Sequence, residues 1–236
     1  MTGVTPAPRE GDRRRLNGGA ATIALALSPS QLRAKRIVDL ALAVPALVLT
    51  APVLFVAGAA IFATMGRPIF FRQVRLGARK RPFVLYKLRT MVNNSSDAAH
   101  REFNRRELLE ENHVPGTSDG AFKLDDPRVT PVGRWLRKTS IDELPQLLNV
   151  IRGEMSLVGP RPVLDWEAAM FDPSVELRFA VPPGITGRWQ VGGRNRVSMR
   201  RMLDMDVDYV RSWSLLRDLE IIVRTPLVLL RGDGAR

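Results

Sequence analysis

The sequence predicts an α+β fold, mainly helical: a re-entrant membrane helix hairpin plus a small cytosolic domain with a β-hairpin and an amphipathic, interfacial C-terminal helix. Three observations lead there. The 26 residues from Leu40 to Met65 carry no charged side chain. Residues 67–89, directly after them, hold eight lysines or arginines and no acid. Further on, apolar residues recur at helical spacing in separate stretches, and one pair of β-prone runs stands between basic residues.

Residues 1–32 read as a mobile basic tail. Arg13, Arg14 and Arg15 precede Gly18 and Gly19, and the apolar stretch from Ala20 to Leu27 is short for a signal sequence. Residues 33–66 form the membrane element. A straight helix over Leu40–Met65 outreaches the roughly 30 Å hydrocarbon core, which favours a span. Two features oppose it. Pro45 and Pro52 interrupt the run, and basic residues flank both ends, with Arg33, Lys35 and Arg36 before and Arg67, Arg72, Arg75 and Arg79 after. A membrane break at Thr50, Ala51 and Pro52 is therefore expected, so that the run leaves on the side it entered. The Thr50 hydroxyl is placed to serve a freed carbonyl. A tilted span with a proline kink is the competing reading.

Residues 67–232 make up the cytosolic domain, with 233–236 as a tail. Ile69–Arg75 and Pro82–Leu88 read as a β-hairpin, residues 95–112 as a charged helix, and Pro115–Gly120 as loop. A helix is expected near Pro131–Lys138, anchored by Trp135 and Leu136. Another runs from Ile141 through Leu144, Leu147, Leu148 and Ile151 to Gly153. Pro160, Pro162, Pro182 and Pro183 mark a loop-rich part, and helix resumes from Val197. Near the end of this region Trp213, Leu215, Leu216, Leu219, Ile222, Val223, Leu227 and Leu230 alternate with Arg211, Arg217, Arg224 and Arg231. That pattern fits a helix lying in the bilayer interface and a core-facing helix equally.

Composition narrows the chemistry. There is no cysteine, which excludes thiolate chemistry, and the two histidines, His100 and His113, argue against a histidine-rich zinc site. The net charge of +12 would suit nucleic acid, but aromatics are only 6% and no recognition motif accompanies the charge, so no nucleic acid is expected as a partner. Anionic membrane lipid fits the juxtamembrane basic cluster.

Asp142 and Glu143 follow Arg137 and Lys138 at the head of a helix. Ser140 and Glu143 fit a capping box, and acids in a first turn suit the helix dipole. Pro145 complicates this: if proline takes the first helical position, both acids lie in the preceding turn and face a ligand. An aspartate can attack phosphorus when Mg²⁺ and cations offset the like charges. Cations are at hand: Lys87 and Arg89 follow the hairpin, Arg137 precedes the acids, Arg161 stands between Pro160 and Pro162, and Arg188, Arg194 and Arg196 lie in a stretch with Gly184, Gly187, Gly192 and Gly193. For each of these arginines a solvated surface role competes.

Several ordered motifs together resemble one family. They are Lys35-Arg36 with Asp39, Tyr86-Lys87-Leu88-Arg89-Thr90-Met91, and Ser140-Ile141-Asp142-Glu143-Leu144-Pro145-Gln146-Leu147. Ser156-Leu157-Val158-Gly159-Pro160-Arg161-Pro162 and Pro183-Gly184-Ile185-Thr186-Gly187 follow, with Gln190-Val191 and Gly193-Arg194-Asn195. In these residues the chain resembles the bacterial sugar transferases known as monotopic phosphoglycosyl transferases, over residues 33 to about 230. Ala51-Pro52 replaces the family's common Ser-Pro, and Arg188 and Trp189 stand between Gly187 and Gln190.

The resemblance implies transfer of a sugar 1-phosphate from a UDP-sugar to polyprenyl (undecaprenyl) phosphate through a covalent aspartyl intermediate, with release of UMP. This is the first membrane step of exopolysaccharide, O-antigen or glycoconjugate assembly. Asp142 is implied as nucleophile and Mg²⁺ ligand, Glu143 as its partner, Arg137, Arg161, Arg194 and Lys87 as phosphate contacts, and Gln190 and Asn195 as further substrate-binding residues. The implied location is the inner (plasma) membrane, monotopic, on the cytoplasmic face; homo-oligomerisation stays open. A non-enzymatic membrane-anchored basic binding protein, or an inactive scaffold relative, is the alternative. The sugar is not encoded in these motifs.

Overall fold

The structure is a computed structural model that describes residues 27–92, 128–192 and 197–230. The basic tail up to residue 26, the expected helix over 95–112, the loop Pro115–Gly120, Arg194, Asn195 and the residues from 231 onward lie outside the described residues.

Helix α1, Pro29–Met65, opens on a true capping box: the Ser28 side chain accepts from the Gln31 N–H, and the Gln31 side chain accepts from the Ser28 N–H. It continues through Pro45 and Pro52 as one helix of 37 residues. The expected turn at Thr50–Pro52 is thus not a separate segment. The Thr50 hydroxyl donates to Ala46 O at 2.7 Å, one turn back, whereas the carbonyl that Pro52 deprives of a donor is that of Val48.

Both ends of α1 are fastened to one body. At the start, Lys35 Nζ meets Asp218 at 2.6 Å and Tyr209 OH at 3.2 Å, all three buried. The Arg36 guanidinium caps the carbonyls of Val150 and Ile151, and Asp39 accepts from the Ser156 hydroxyl and the Leu157 N–H, each at 2.9 Å. At the far end, Arg89 donates to Met65 O and Gly66 O. Ala43 packs with Phe83, Leu85, Leu147, Val150 and Met155; Ala57 and Ile61 pack with Leu88 and Leu136. Between these anchor points Val48, Leu49, Phe55 and Val56 are exposed.

The expected hairpin is present. Strands β1, Phe70–Leu76, and β2, Pro82–Leu88, pair antiparallel with Val74 opposite Val84. The turn between them places Arg79 and Lys80 at φ of 55° and 56°. Helix α2, Pro131–Thr139, is capped by the Thr130 hydroxyl on the Gly133 N–H. Of its two expected anchors Leu136 is fully buried, but Trp135 is 55% exposed and lines an apolar groove against Pro52, Val53 and Val56 of α1.

The single helix expected from Ile141 to Gly153 is instead two pieces. Residues Ile141–Gln146 form a 3-10 helix containing Pro145, and helix α3, Leu147–Arg152, ends at Gly153 with φ of 82°. Proline at 145 removes an α-helical donor and favours the tighter turn. The loop-rich part hides a short parallel pair, β3 (Ser156–Val158) with β4 (Gly184–Thr186). Around it lie α4 (Asp165–Ala168), a 3-10 stretch (Pro173–Ala180) and α5 (Arg188–Gly192). Helices α6 (Met199–Arg211) and α7 (Leu215–Leu230) close the fold. In helix α7 Asp218 and Ile221 are buried, while Leu216, Leu219, Val223 and Leu227 are exposed.

Candidate active site

Strand β2 and helix α2 bring two cations to the acid pair. Lys87 lies near the end of β2, and the chain continues through Arg89 and Thr90 into a bridge between Met91 and Val129. Helix α2 rests on that extension so closely that a Cβ at Gly133 would overlap the Thr90 carbonyl. About one turn later Arg137 Nε donates to Thr90 Oγ1 at 2.9 Å.

The chain then reverses. Ser140 sits in the left-handed region at φ 56°, and its N–H turns back to the carbonyls at the end of α2. In this conformation Ser140 makes no side-chain cap, so the expected capping box is absent; a main-chain bond from Glu143 N–H to Ser140 O takes its place at 3.2 Å. The Glu143 carboxylate instead binds Lys87 Nζ at 2.6 Å in a half-exposed ion pair. Asp142 points into the body and is 7% exposed.

Burial pushes the Asp142 carboxyl up from 3.8 to about 6. The Lys87 and Arg137 charges pull against that rise, and the neighbouring Glu143 charge adds to it. At neutral pH the group is therefore a desolvated carboxylate with two cations bearing on it. Asn149, fully buried, fixes the unit to the strand: its amide donates to Val84 O at 2.7 Å and accepts from the Tyr86 N–H at 3.2 Å. Its position among leucines in Leu147-Leu148-Asn149-Val150 was the available sequence signal for this role.

Arg161 belongs to a second polar centre. The Arg178–Asp206 ion pair, 2.7 Å long, is buried on both sides. Arg178 donates to Arg161 O at 2.7 Å, and Asp206 receives the Arg161 main-chain N–H. The rest of the loop is equally held, since Pro160 O accepts from the Gly184 N–H, Pro162 O from Arg75, and Val163 O from the Leu76 N–H. Arg161 is half-buried while Pro160 and Pro162 are buried. Gln190 lies in α5, half-buried beside Gly187, with its amide 3.5 Å from Ile185 O. Among the predicted residues, Asp142, Glu143, Lys87 and Arg137 thus converge, Arg161 and Gln190 stand on the β3–β4 side, and Arg194 and Asn195 are not described.

Among the described residues no group of three or more metal-binding side chains occurs. Mg²⁺ bound together with substrate phosphates takes as few as one or two carboxylates from the protein, and Asp142 and Glu143 are the carboxylates at this site.

Residues 30–232 match the model of the family described as bacterial sugar transferase. The chain is 42% identical over 203 residues to a UDP-galactose-lipid carrier transferase of Erwinia amylovora, covering 85% of this chain and 41% of that one. It is 40% identical over 211 residues to the exopolysaccharide production protein ExoY of Sinorhizobium fredii, covering 84% of this chain and 87% of that one. A UDP-glucose:undecaprenyl-phosphate glucose-1-phosphate transferase of Caulobacter vibrioides is 42% identical over 210 residues, covering 85% and 71%. With a matching family model over most of its length and relatives of this similarity, the chain belongs to the bacterial sugar transferase family.

Proposed function

We propose that this transferase moves a sugar 1-phosphate from a UDP-sugar to undecaprenyl phosphate, the first membrane step of an exopolysaccharide or related surface glycan. The observation that carries the reading is Asp142, a buried carboxylate lifted to about 6 with Lys87 and Arg137 beside it. In the proposed reaction an Asp142 oxygen attacks the β-phosphorus of the donor. The bond from that phosphorus to the UMP oxygen breaks, UMP leaves, and an aspartyl phosphosugar remains. An oxygen of the acceptor phosphate then attacks the same phosphorus and frees the carboxylate. Burial supports nucleophilicity by removing hydration from the attacking oxygen, and the Lys87–Glu143 pair holds a cation where phosphate charge accumulates. Asp142 would hold Mg²⁺, which would supply charge neutralisation on the donor diphosphate.

We place the protein on the membrane without crossing it. Helix α1 is long and apolar enough to span, with mean hydropathy of 2.4 over its most apolar 18 residues. Yet Lys35 and Arg36 at one end and Met65 and Gly66 at the other are bound to the same body. The two packing sites of α1 share strand β2, where Leu85 and Leu88 are about 10 Å apart. Ala43 and Ala57 would be roughly 21 Å apart on a straight helix. Both facts favour re-entry on one face over a span, and the basic residues flanking both ends favour the cytoplasmic one. The exposed stripe of α7, with Arg217 and Arg224 nearby, supports a second contact with anionic lipid.

Release of UMP from a panel of UDP-sugars, in membranes containing undecaprenyl phosphate and Mg²⁺, tests the reading. Turnover is expected with one or a few donors and none in Asp142→Asn. Full activity of Asp142→Asn would exclude the covalent route.

A further inference from the structure

Thr90 meets helix α2 twice, at the two ends of one face. Its carbonyl accepts from the Thr130 N–H at 3.2 Å and lies against Gly133. Its hydroxyl accepts from Arg137 Nε at 2.9 Å. Residues 130, 133 and 137 are spaced three and four apart, so all three contacts fall along one side of the helix. Thr90 is 7% exposed, and it is three residues beyond Lys87 on the same chain segment. The strand that delivers Lys87 to Glu143 therefore also sets where α2 delivers Arg137.

The choice of Nε matters. That N–H lies in the plane of the guanidinium, so a bond from it fixes the plane as well as the position of the fork. A charge alone does not need this; an oriented fork beside a phosphate-handling carboxylate does. We propose that Thr90 is a positioning residue of the active site, whose hydroxyl orients Arg137 toward the Asp142–Glu143 pair for its contact with the donor diphosphate. The assignment rests on the transferase reading above, and it adds a residue that neither touches substrate nor carries charge.

Valine keeps the shape of threonine and removes the acceptor, and serine keeps the acceptor. Steady-state UMP release by the full-length protein in membranes is measured for Thr90→Val, Thr90→Ser, Arg137→Ala and the Thr90→Val/Arg137→Ala double variant. Misplacement of an oriented group costs about 10- to 100-fold, so Thr90→Val is expected to lose that much in kcat with a smaller change in the donor KM. Thr90→Ser should recover most of the loss, and Thr90→Val should add nothing once Arg137 is alanine. Arg137→Lys, which keeps the charge but has no Nε–H fork, should match Thr90→Val and serves if the latter does not fold. Unchanged kcat in Thr90→Val or Arg137→Lys, or losses that multiply in the double variant, would overturn the assignment. If the unmodified protein turned over no donor, the transferase reading would fall and the assignment with it; turnover that survives Thr90→Val removes the assignment alone.

Discussion

Lys87 Nζ stands 2.6 Å from Glu143 Oε1, and that ion pair gives the two adjacent acids different fates. Glu143 is half-exposed and neutralised, while Asp142 is buried and raised to about 6. The folded protein therefore holds a proton on Asp142 between about 3.8 and 6 that the unfolded chain has released. Stability falls as pH rises through that window, and the cost persists in full above it. A shift of this size corresponds to about 3 kcal/mol at most. Asp142→Asn should thus raise Tm at pH 7.5 in Mg²⁺-free buffer while abolishing UMP release, with the gain fading as pH approaches 4. No gain in Tm at pH 7.5 would contradict the burial cost assigned to this carboxylate.

Arg178 and Asp206 form a buried pair whose second duty is to clamp Arg161. Burial pushes the Asp206 carboxyl up and the Arg178 charge opposes that rise, and the guanidinium lies 5.3 Å and 5.2 Å from the rings of Phe171 and Phe179. Removing one partner strands the other, at a cost of about 3–5 kcal/mol, so Asp206→Ala should lower the denaturation midpoint sharply. The apolar pair Arg178→Met/Asp206→Leu should restore most of the stability, because two desolvated charges are replaced by packing. It should not restore turnover, since Arg161 loses both main-chain anchors. Denaturation and UMP release measured on the same three proteins separate the two effects, and a double variant with normal turnover would show that the clamp is purely structural.

The elements with strong local signals were legible in the sequence. The β1–β2 hairpin stands where its two β-prone runs lie, and α2 starts at Thr130-Pro131 as cap chemistry dictates. The acid pair was legible as ambiguous, and the ambiguity was resolved by one backbone angle: Ser140 at φ 56° cannot cap, so Glu143 is released to Lys87. What stayed hidden depends on distant partners. The β3–β4 pair has three residues per strand and is joined across 25 intervening positions, leaving no periodic pattern to read. Trp135 looked like a core anchor because its hydrophobicity says nothing of which helix face the body covers. Asn149 and Thr90 act by hydrogen bonds to distant elements, which composition and spacing do not encode.

Gly133 should be irreplaceable for a reason other than backbone freedom. Its φ is ordinary for a helix, but a methyl group there would collide with the main chain of Thr90, which cannot swing aside as a side chain would. Gly133→Ala must push α2 off the strand, an overpacking cost of about 1–3 kcal/mol or more. Gly66 provides the contrast, with φ of 65° but nothing within 4 Å of a Cβ. Gly66→Ala should cost only the local backbone strain, about 1–3 kcal/mol. Because Arg137 rides on α2, Gly133→Ala should also reduce kcat, and Gly66→Ala should leave it near normal. Equal kcat for the two variants would mean that the placement of α2 is not felt by the reaction.

The two ends of α1 make a topological prediction that the absence of cysteine renders simple to test, because any introduced thiol is unique. Arg33 and Arg67 are both exposed and flank the uncharged run. A span would put them in different compartments; yet Lys35, two residues after the first, is tied to Asp218, and Gly66, just before the second, to Arg89. Separating them by a bilayer would require breaking one set of contacts and exposing the buried Asp218 carboxylate without its ammonium partner, a cost of several kcal/mol. Arg33→Cys and Arg67→Cys should therefore both react with a membrane-impermeant maleimide in inside-out vesicles and both be protected in intact cells. Protection of only one of them in either preparation would establish a span and would detach Lys35 from Asp218 in the membrane-bound protein.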